Sequence, residues 1–164
     1  MRPSPIQLKH VVYSKVLVEP FIVDGKEQEQ PAVDFDFQGV NVRSKIGCGK
    51  KAGEEVDPRD FFVELEIEID NKLGKQAPYS VAISVLGLFN VLPSLAAEKR
   101  EDLIVVNGAS ILYGVIREMT LSLTSRFAAG PFTLPGMNFE EDAPSKVREK
   151  AAKEALAAAS TGVV

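Results

Sequence analysis

Acid–base, nucleophilic and metal chemistry all need several functional side chains in company, and here the company is thin. The chain has one histidine, His10, and one cysteine, Cys48. A zinc site would therefore lack its usual nitrogen and sulfur ligands, and any nucleophile would have to rely on His10 as its base. The carboxylates that could be imagined as a catalytic pair are Glu64, Glu66 and Glu68. At every second position of one strand they share one environment, whereas a catalytic acid–base pair needs two environments that drive its pKa values apart. The spacing points to a solvated strand face. No glycine-rich phosphate loop, Gly-x-Ser-x-Gly elbow or His-Glu-x-x-His pattern occurs. The expectation is a protein that is not an enzyme and needs no cofactor or metal.

What the chain does offer is apolar. Phe35, Phe37, Phe62, Tyr79 and Phe89 are the aromatic residues of its middle strands, where they either fill a core or line a groove. The groove has a physical motive, because a protein that holds unfolded chains must present extended apolar surface and free strand edges without selecting one sequence.

The elements that position these residues read as four strands followed by helices. The first strand runs from about Ile6 to Val18, with Pro20 near its end, and a polar loop, Asp24 to Gln30, follows. The second spans about Ala32 to Ile46, with Val33, Phe35 and Phe37 on one face and Gly39 marking a bulge. Gly47 to Lys51 reads as a turn. The third gives the clearest alternation: Phe61, Val63, Leu65, Ile67 and Ile69 on a core face against Phe62, Glu64, Glu66, Glu68 and Asp70 on an acidic one. Arg43 and Lys45 are the expected cross-strand partners of those acids. A turn at Asn71 to Gly74 leads into the fourth strand, Tyr79 to Phe89, and such short connections imply an antiparallel meander.

Beyond Pro93 the period becomes helical. Ser94 caps a first stretch from Ala97 to Val106, Asn107-Gly108 interrupts it, and the main helix runs from about Ala109 to Phe127. Its stripe of Leu112, Val115, Ile116, Met119, Leu123 and Phe127 packs on the sheet. Residues 144–164 form an Ala-, Lys- and Glu-rich helix with so thin an apolar face that it is expected to be a mobile tail on a single domain of residues 1–143. The expected fold is thus α+β, a four-stranded antiparallel meander with one amphipathic helix on one face.

Composition agrees. At 164 residues with 45% hydrophobic and 26% charged side chains the chain is ordinary for one globular domain. A formal charge of −4 gives no positive field to hold a phosphate backbone, so nucleic acid is not an expected partner. The N-terminus has no continuous apolar segment, and the most apolar stretch, Val81 to Ala97, is broken by Ser84, Asn90 and Pro93. Neither secretion nor membrane insertion is expected, and a lone Cys48 suits a reducing cytoplasm.

Two stretches carry a resemblance. Ile111 to Phe139 has a helix with Tyr113, Arg117-Glu118 and Arg126, then Pro131, Phe132 and Leu134, closing on Asn138-Phe139. Upstream, Pro31 to Phe37 is a proline followed by apolar side chains at every second position. In that order they resemble the signature regions of the SecB family of bacterial export chaperones, and with the strands between them the resemblance covers most of residues 6–140. It implies a homotetramer, a dimer of dimers, that binds non-native polypeptides without ATP in hydrophobic grooves and keeps them competent for export. The groove residues it implies are Val33, Phe35 and Phe37, with Leu88, Phe89, Phe132 and Leu134 beside them.

The chain departs from the family in places. Ser80-Val81-Ala82 and Val16 stand where the family carries acids for the SecA motor, which argues against SecA docking. Gly114-Val115 and Gly136-Met137 replace the family's Pro-Tyr and Pro-Val or Pro-Ile, the mark of a divergent branch. Two alternatives follow: a SecB-like chaperone dedicated to the antitoxin of a toxin–antitoxin pair, and an adaptor that uses the sheet only to oligomerise.

Overall fold

The computed structural model describes residues 4–23, 26–27, 32–53 and 57–161. Pro31, most of the polar loop at 24–30 and the last three residues lie outside that set. Strand β1 is Ile6–Pro20, β2 and β3 are the two-residue Ile22–Val23 and Lys26–Glu27, and β4, β5 and β6 are Arg43–Lys50, Asp60–Ile69 and Tyr79–Val91. Helix α1 is Ala97–Thr124, and α2, Pro144–Thr161, follows a 3-10 turn at Glu140–Asp142. The long strands form one antiparallel sheet in the order β1-β6-β5-β4, while β2 and β3 pair separately. The α+β architecture is therefore as expected, with a refinement in order. The last three strands make a meander, and β1 is added beside the final strand, as in a Greek key.

Burial follows the alternation. On β5 Phe61, Val63, Leu65, Ile67 and Ile69 are buried under α1, as are Tyr79, Val81, Ile83, Val85, Phe89 and Val91 on β6. Helix α1 answers with Ile104, Val105, Ala109, Leu112, Tyr113 and Ile116. Each fully buried large side chain contributes about 1.5–3 kcal/mol relative to exposure, so this layer is the core. By length and composition α1 could cross a membrane, but that apolar stripe is spent against the sheet.

Asn107-Gly108 does not interrupt the helix, which is continuous for 28 residues. Gly108 is there because the helix comes close to the sheet: a Cβ on it would stand 2.9 Å from Val63 Cγ2. Ser94 is not the cap either, since the helix begins after Ala96 with no side-chain cap. Its start is clipped down by the buried Arg100, whose guanidinium donates to the carbonyls of Leu95 and Pro58 and to the Asp57 carboxylate.

The expected second strand is the main correction. Only Arg43–Lys50 is strand, so Gly47 to Lys51, read as a turn, is largely ladder. Residues 32–42 are turns and irregular chain instead, with Asp34 at φ 60° and Gly39 in a turn at φ 85° rather than a bulge. Isolated side-chain and backbone bonds replace the ladder there. Asp36 Oδ1 accepts the Gln38 N–H at 2.9 Å, Lys75 Nζ donates to Asp36 O at 2.6 Å, and the Ala32 N–H reaches Ala129 O at 3.1 Å. The alternation of Val33, Phe35 and Phe37 arises because Phe35 and Phe37 turn onto one aromatic neighbour, Phe132.

Candidate functional site

After α1 the chain runs extended from Pro131 to Phe139, and it buries Phe132, Leu134 and Phe139 while Thr133, Gly136 and Asn138 face out. An extended strip with no strand neighbour needs partners for its peptide groups, and α1 supplies them. Thr124 Oγ1 accepts the Phe132 N–H at 2.9 Å, Arg117 Nε donates to Leu134 O at 3.0 Å, and the Tyr113 hydroxyl donates to Pro135 O at 2.5 Å. Burial pushes the Tyr113 phenol up to about 12, so it remains a donor through the physiological range. The Phe139 ring meets Tyr113 edge-on at 5.7 Å, and Asn138 Oδ1 accepts the Glu140 N–H at 3.0 Å to start the 3-10 turn. The residues that carry the sequence resemblance are thus largely those that strap this segment to the helix.

Phe132 is the hub of the first apolar surface. It is 0% exposed, with the rings of Phe35, Phe37 and Tyr79 at 5.9, 5.3 and 5.4 Å. Phe35 and Phe37 meet edge-on at 5.2 Å and are only half-buried, while Val33 and Phe127 lie exposed beside them. Lys75 Nζ stands 4.7 Å over the Phe35 ring and is paired with Asp36, fastening the loop from its outer side. The Gln38 N–H and then Lys75 hold the Asp36 carboxyl below its ordinary value. The implied groove residues therefore separate. Phe35, Phe37 and Phe132 come together; Val33 is exposed on the same loop; Leu134 is 1% exposed beneath α1; Phe89 is core at 1%; and Leu88 points out of the opposite face at 43%.

That opposite face is the second surface. Cross-strand neighbours share a face, so the register places Val12 beside Leu86, Leu17 beside Ala82 and Phe62 beside Leu88. Val12, Leu17, Phe62 and Leu88 are exposed, and α1 packs only on the other side. Towards β4 the face turns ionic. Arg43 bonds Glu68 at 3.0 Å and Asp70 at 2.7 Å, and Lys45 lies opposite Glu66, the pairing expected from the sequence. Sequence reading did not single out Val12, Leu17 and Leu86, because only the register of β1 on β6 shows that they meet Leu88 and Phe62.

A third region is the free edge of β1. Leu8 and Val16 stand exposed there, and Ile111 and Leu121 on the outer side of α1 are exposed too. Among the described residues nothing pairs with that edge, which leaves a row of backbone donors and acceptors open.

The residues considered for chemistry stay apart. His10 is exposed on β1, and Cys48 lies on β4, where partial burial and then Glu101 raise its thiol pKa, the wrong direction for a nucleophile. Among the described residues no cluster of three or more His, Cys, Asp or Glu side chains could hold a metal.

No protein-family model and no curated protein matches the sequence significantly. Among solved structures the chain is similar to the SecB-like chaperone Rv1957 of Mycobacterium tuberculosis, solved with a ChAD peptide from the HigA1 antitoxin Rv1956. The TM-score is 0.51 at 17% identity, over 82% of this chain and 91% of that one. A protein of unknown function from Streptococcus agalactiae matches with the same TM-score, 0.51, at 10% identity over 80% and 97%. At these identities the likeness is one of fold, and the fold is SecB-like.

Proposed function

We propose, from the SecB-like fold, that this protein is an ATP-independent holdase chaperone of the cytoplasm, not an enzyme, which binds non-native polypeptides and keeps them from aggregating. The observation that carries the reading is the apolar surface on two sides of one well-packed frame: the exposed Val33 with the half-buried Phe35 and Phe37 on one side, and the exposed Val12, Leu17, Phe62 and Leu88 on the other. Exposed apolar surface of this kind is a liability unless something binds there. It is what a holder of unfolded chains requires.

The assembly proposed is a homotetramer made as a dimer of dimers, with the open β1 edge and the outer stripe of α1 as the surfaces available for pairing. Light scattering that reports only monomer at high concentration would overturn this part. Export is the natural use of such a holdase. Hand-off to SecA has little support, since Ser80, Ala82 and Val16 put no acid on β6 or β1 where the family carries one.

A second reading, a chaperone dedicated to an antitoxin, is favoured by that same lack of acids and by the peptide seen on the Mycobacterium tuberculosis neighbour. Aggregation assays separate the readings. Without ATP, suppression across several unrelated unfolded proteins supports the general holdase, suppression of one supports the dedicated chaperone, and suppression of none leaves an oligomeric adaptor.

A further inference from the structure

The bare sheet face is not uniform along its length, and one end holds a pocket. At the start of β5 and the end of β6 a depression of about 630 Å³ opens at the end of the sheet, with Phe62 and Leu88 as exposed apolar walls, the buried Phe61 and Phe89 behind them, Lys9, Lys51 and Asp60 around it, and Lys50 at its rim from the register position of Phe61 on the α1 side. Its wall is fixed by backbone. The Phe62 ring lies directly over Gly49 of β4, where a Cβ would stand 2.1 Å from it, so the missing side chain is what seats the ring. Its charge is set by an irregularity, because the register of β1 on β6 shifts between Leu8 and His10 and leaves Lys9 as the extra residue beside the pocket. The one acid present is already engaged: Asp60 accepts from Asn90 Nδ2 at 2.7 Å and pairs with Lys51 at 3.6 Å. A protein of net charge −4, whose same face carries Glu64, Glu66 and Glu68 further along, thus concentrates lysines around its apolar end.

Resting on the holdase reading above, we propose that this pocket is a selective subsite that takes a bulky apolar residue flanked by Asp or Glu in an extended client segment. The apolar side chain enters between Phe62 and Leu88, and the flanking carboxylates meet Lys9 and the exposed Lys51, the latter by exchange with its 3.6 Å pairing to Asp60. A chain segment fits better than a small amphiphile because Leu86 and Val12 follow Leu88 along the same face, outside the pocket, and offer apolar surface to further client residues.

The test uses the full chain and three fluorescent peptides with one apolar core, flanked by Glu, Gln or Lys, with binding read by anisotropy. The Glu-flanked peptide should bind about fivefold or more tighter than the Lys-flanked one at low salt, and the gap should shrink as salt rises. Lys9→Glu/Lys51→Glu, checked as folded by circular dichroism, should reverse the order, while Lys153→Glu, on the exposed side of α2, should leave it unchanged. Equal binding of the three peptides, or an order unaffected by the double substitution, overturns the subsite. So does laurate binding at the pocket that the peptides cannot displace. Suppression of client aggregation by the unaltered protein in those cases leaves the holdase reading standing, whereas failure to bind any peptide or client removes both.

Discussion

Two surfaces of this molecule present apolar side chains to solvent, half-buried rings on one and exposed side chains on the other, and they are built in opposite ways. Around Phe35 and Phe37 the half-buried rings are the outer layer of a stack whose centre, Phe132, is fully buried, and the loop carrying them is held by scattered side-chain and backbone bonds rather than by a ladder. On the bare sheet face, Leu88, Val12 and Leu17 project from strands whose peptide groups are already paired, with the core on the other side of the same backbone. In the first region the residues that could touch a client also hold the fold. In the second, surface and support are separate.

The sharpest break of that comparison is at the hub. Phe132→Ala should cost about 3–5 kcal/mol, as a fully buried aromatic does, and urea unfolding followed by circular dichroism measures it. A loss below about 1 kcal/mol would mean that the stack is not part of the core. Phe37→Ser, half-buried on top of it, should cost about 1–3 kcal/mol and at the same time weaken client binding by roughly tenfold. Phe35→Ser should behave alike. Both readouts must move together if the ring surface is used; unfolding without a binding change in the surviving fold, or full activity, moves the site off this loop.

Leu88→Ser should show the contrast. Stability should stay within about 0.5 kcal/mol, while affinity for an unfolded client drops about three- to tenfold, from partial loss of the side chain's burial in the complex. Isothermal titration on the still-folded variant gives the answer, and an equal fall in stability would erase the distinction between the two regions.

The smallest effect is a pH dependence that both regions share. Asp36, exposed beside the rings, is held low by the Gln38 N–H and then Lys75, and Asp70 at the ionic end of the bare face by the Lys72 N–H and then Arg43, each from an ordinary value of 3.8. A carboxyl depressed in the fold adds stability that is fully present above its unfolded pKa and disappears as pH falls through the folded one. Stability should therefore be flat from pH 7 to about 5 on their account and should decline below about 4. Asp36→Asn or Asp70→Asn should each make that decline shallower, as followed by thermal melts between pH 5 and 2.5.

Much of this was legible in the residues alone. The alternation from Phe61 to Asp70 gave strand, core face and acidic face together, because a period of two with β-branched and aromatic side chains has no other good solution. The start of the α1 stripe, at Leu112 and Ile116, and the partnership of Arg43 with the acidic face were equally plain, whereas Leu123 and Phe127, read as part of that stripe, are exposed, because the helix ends at Thr124 and buries Thr120 and Thr124 instead. A period of two misled at Val33, Phe35 and Phe37, because alternation records which side chains seek cover and not which backbone partner exists. The cover there is Phe132, about a hundred residues later, which no local window contains. Gly108 read as a break for a similar reason: its cost to the helix is local, while the contact with Val63 that requires it is distant. Sequence by itself thus determined which faces are apolar, which are charged and roughly where each element lies. Tertiary structure alone decided that β1 joins β6, and with it that Val12, Leu17, Leu86 and Leu88 share an uncovered face, because strand order depends on long-range pairing that local residue patterns do not encode.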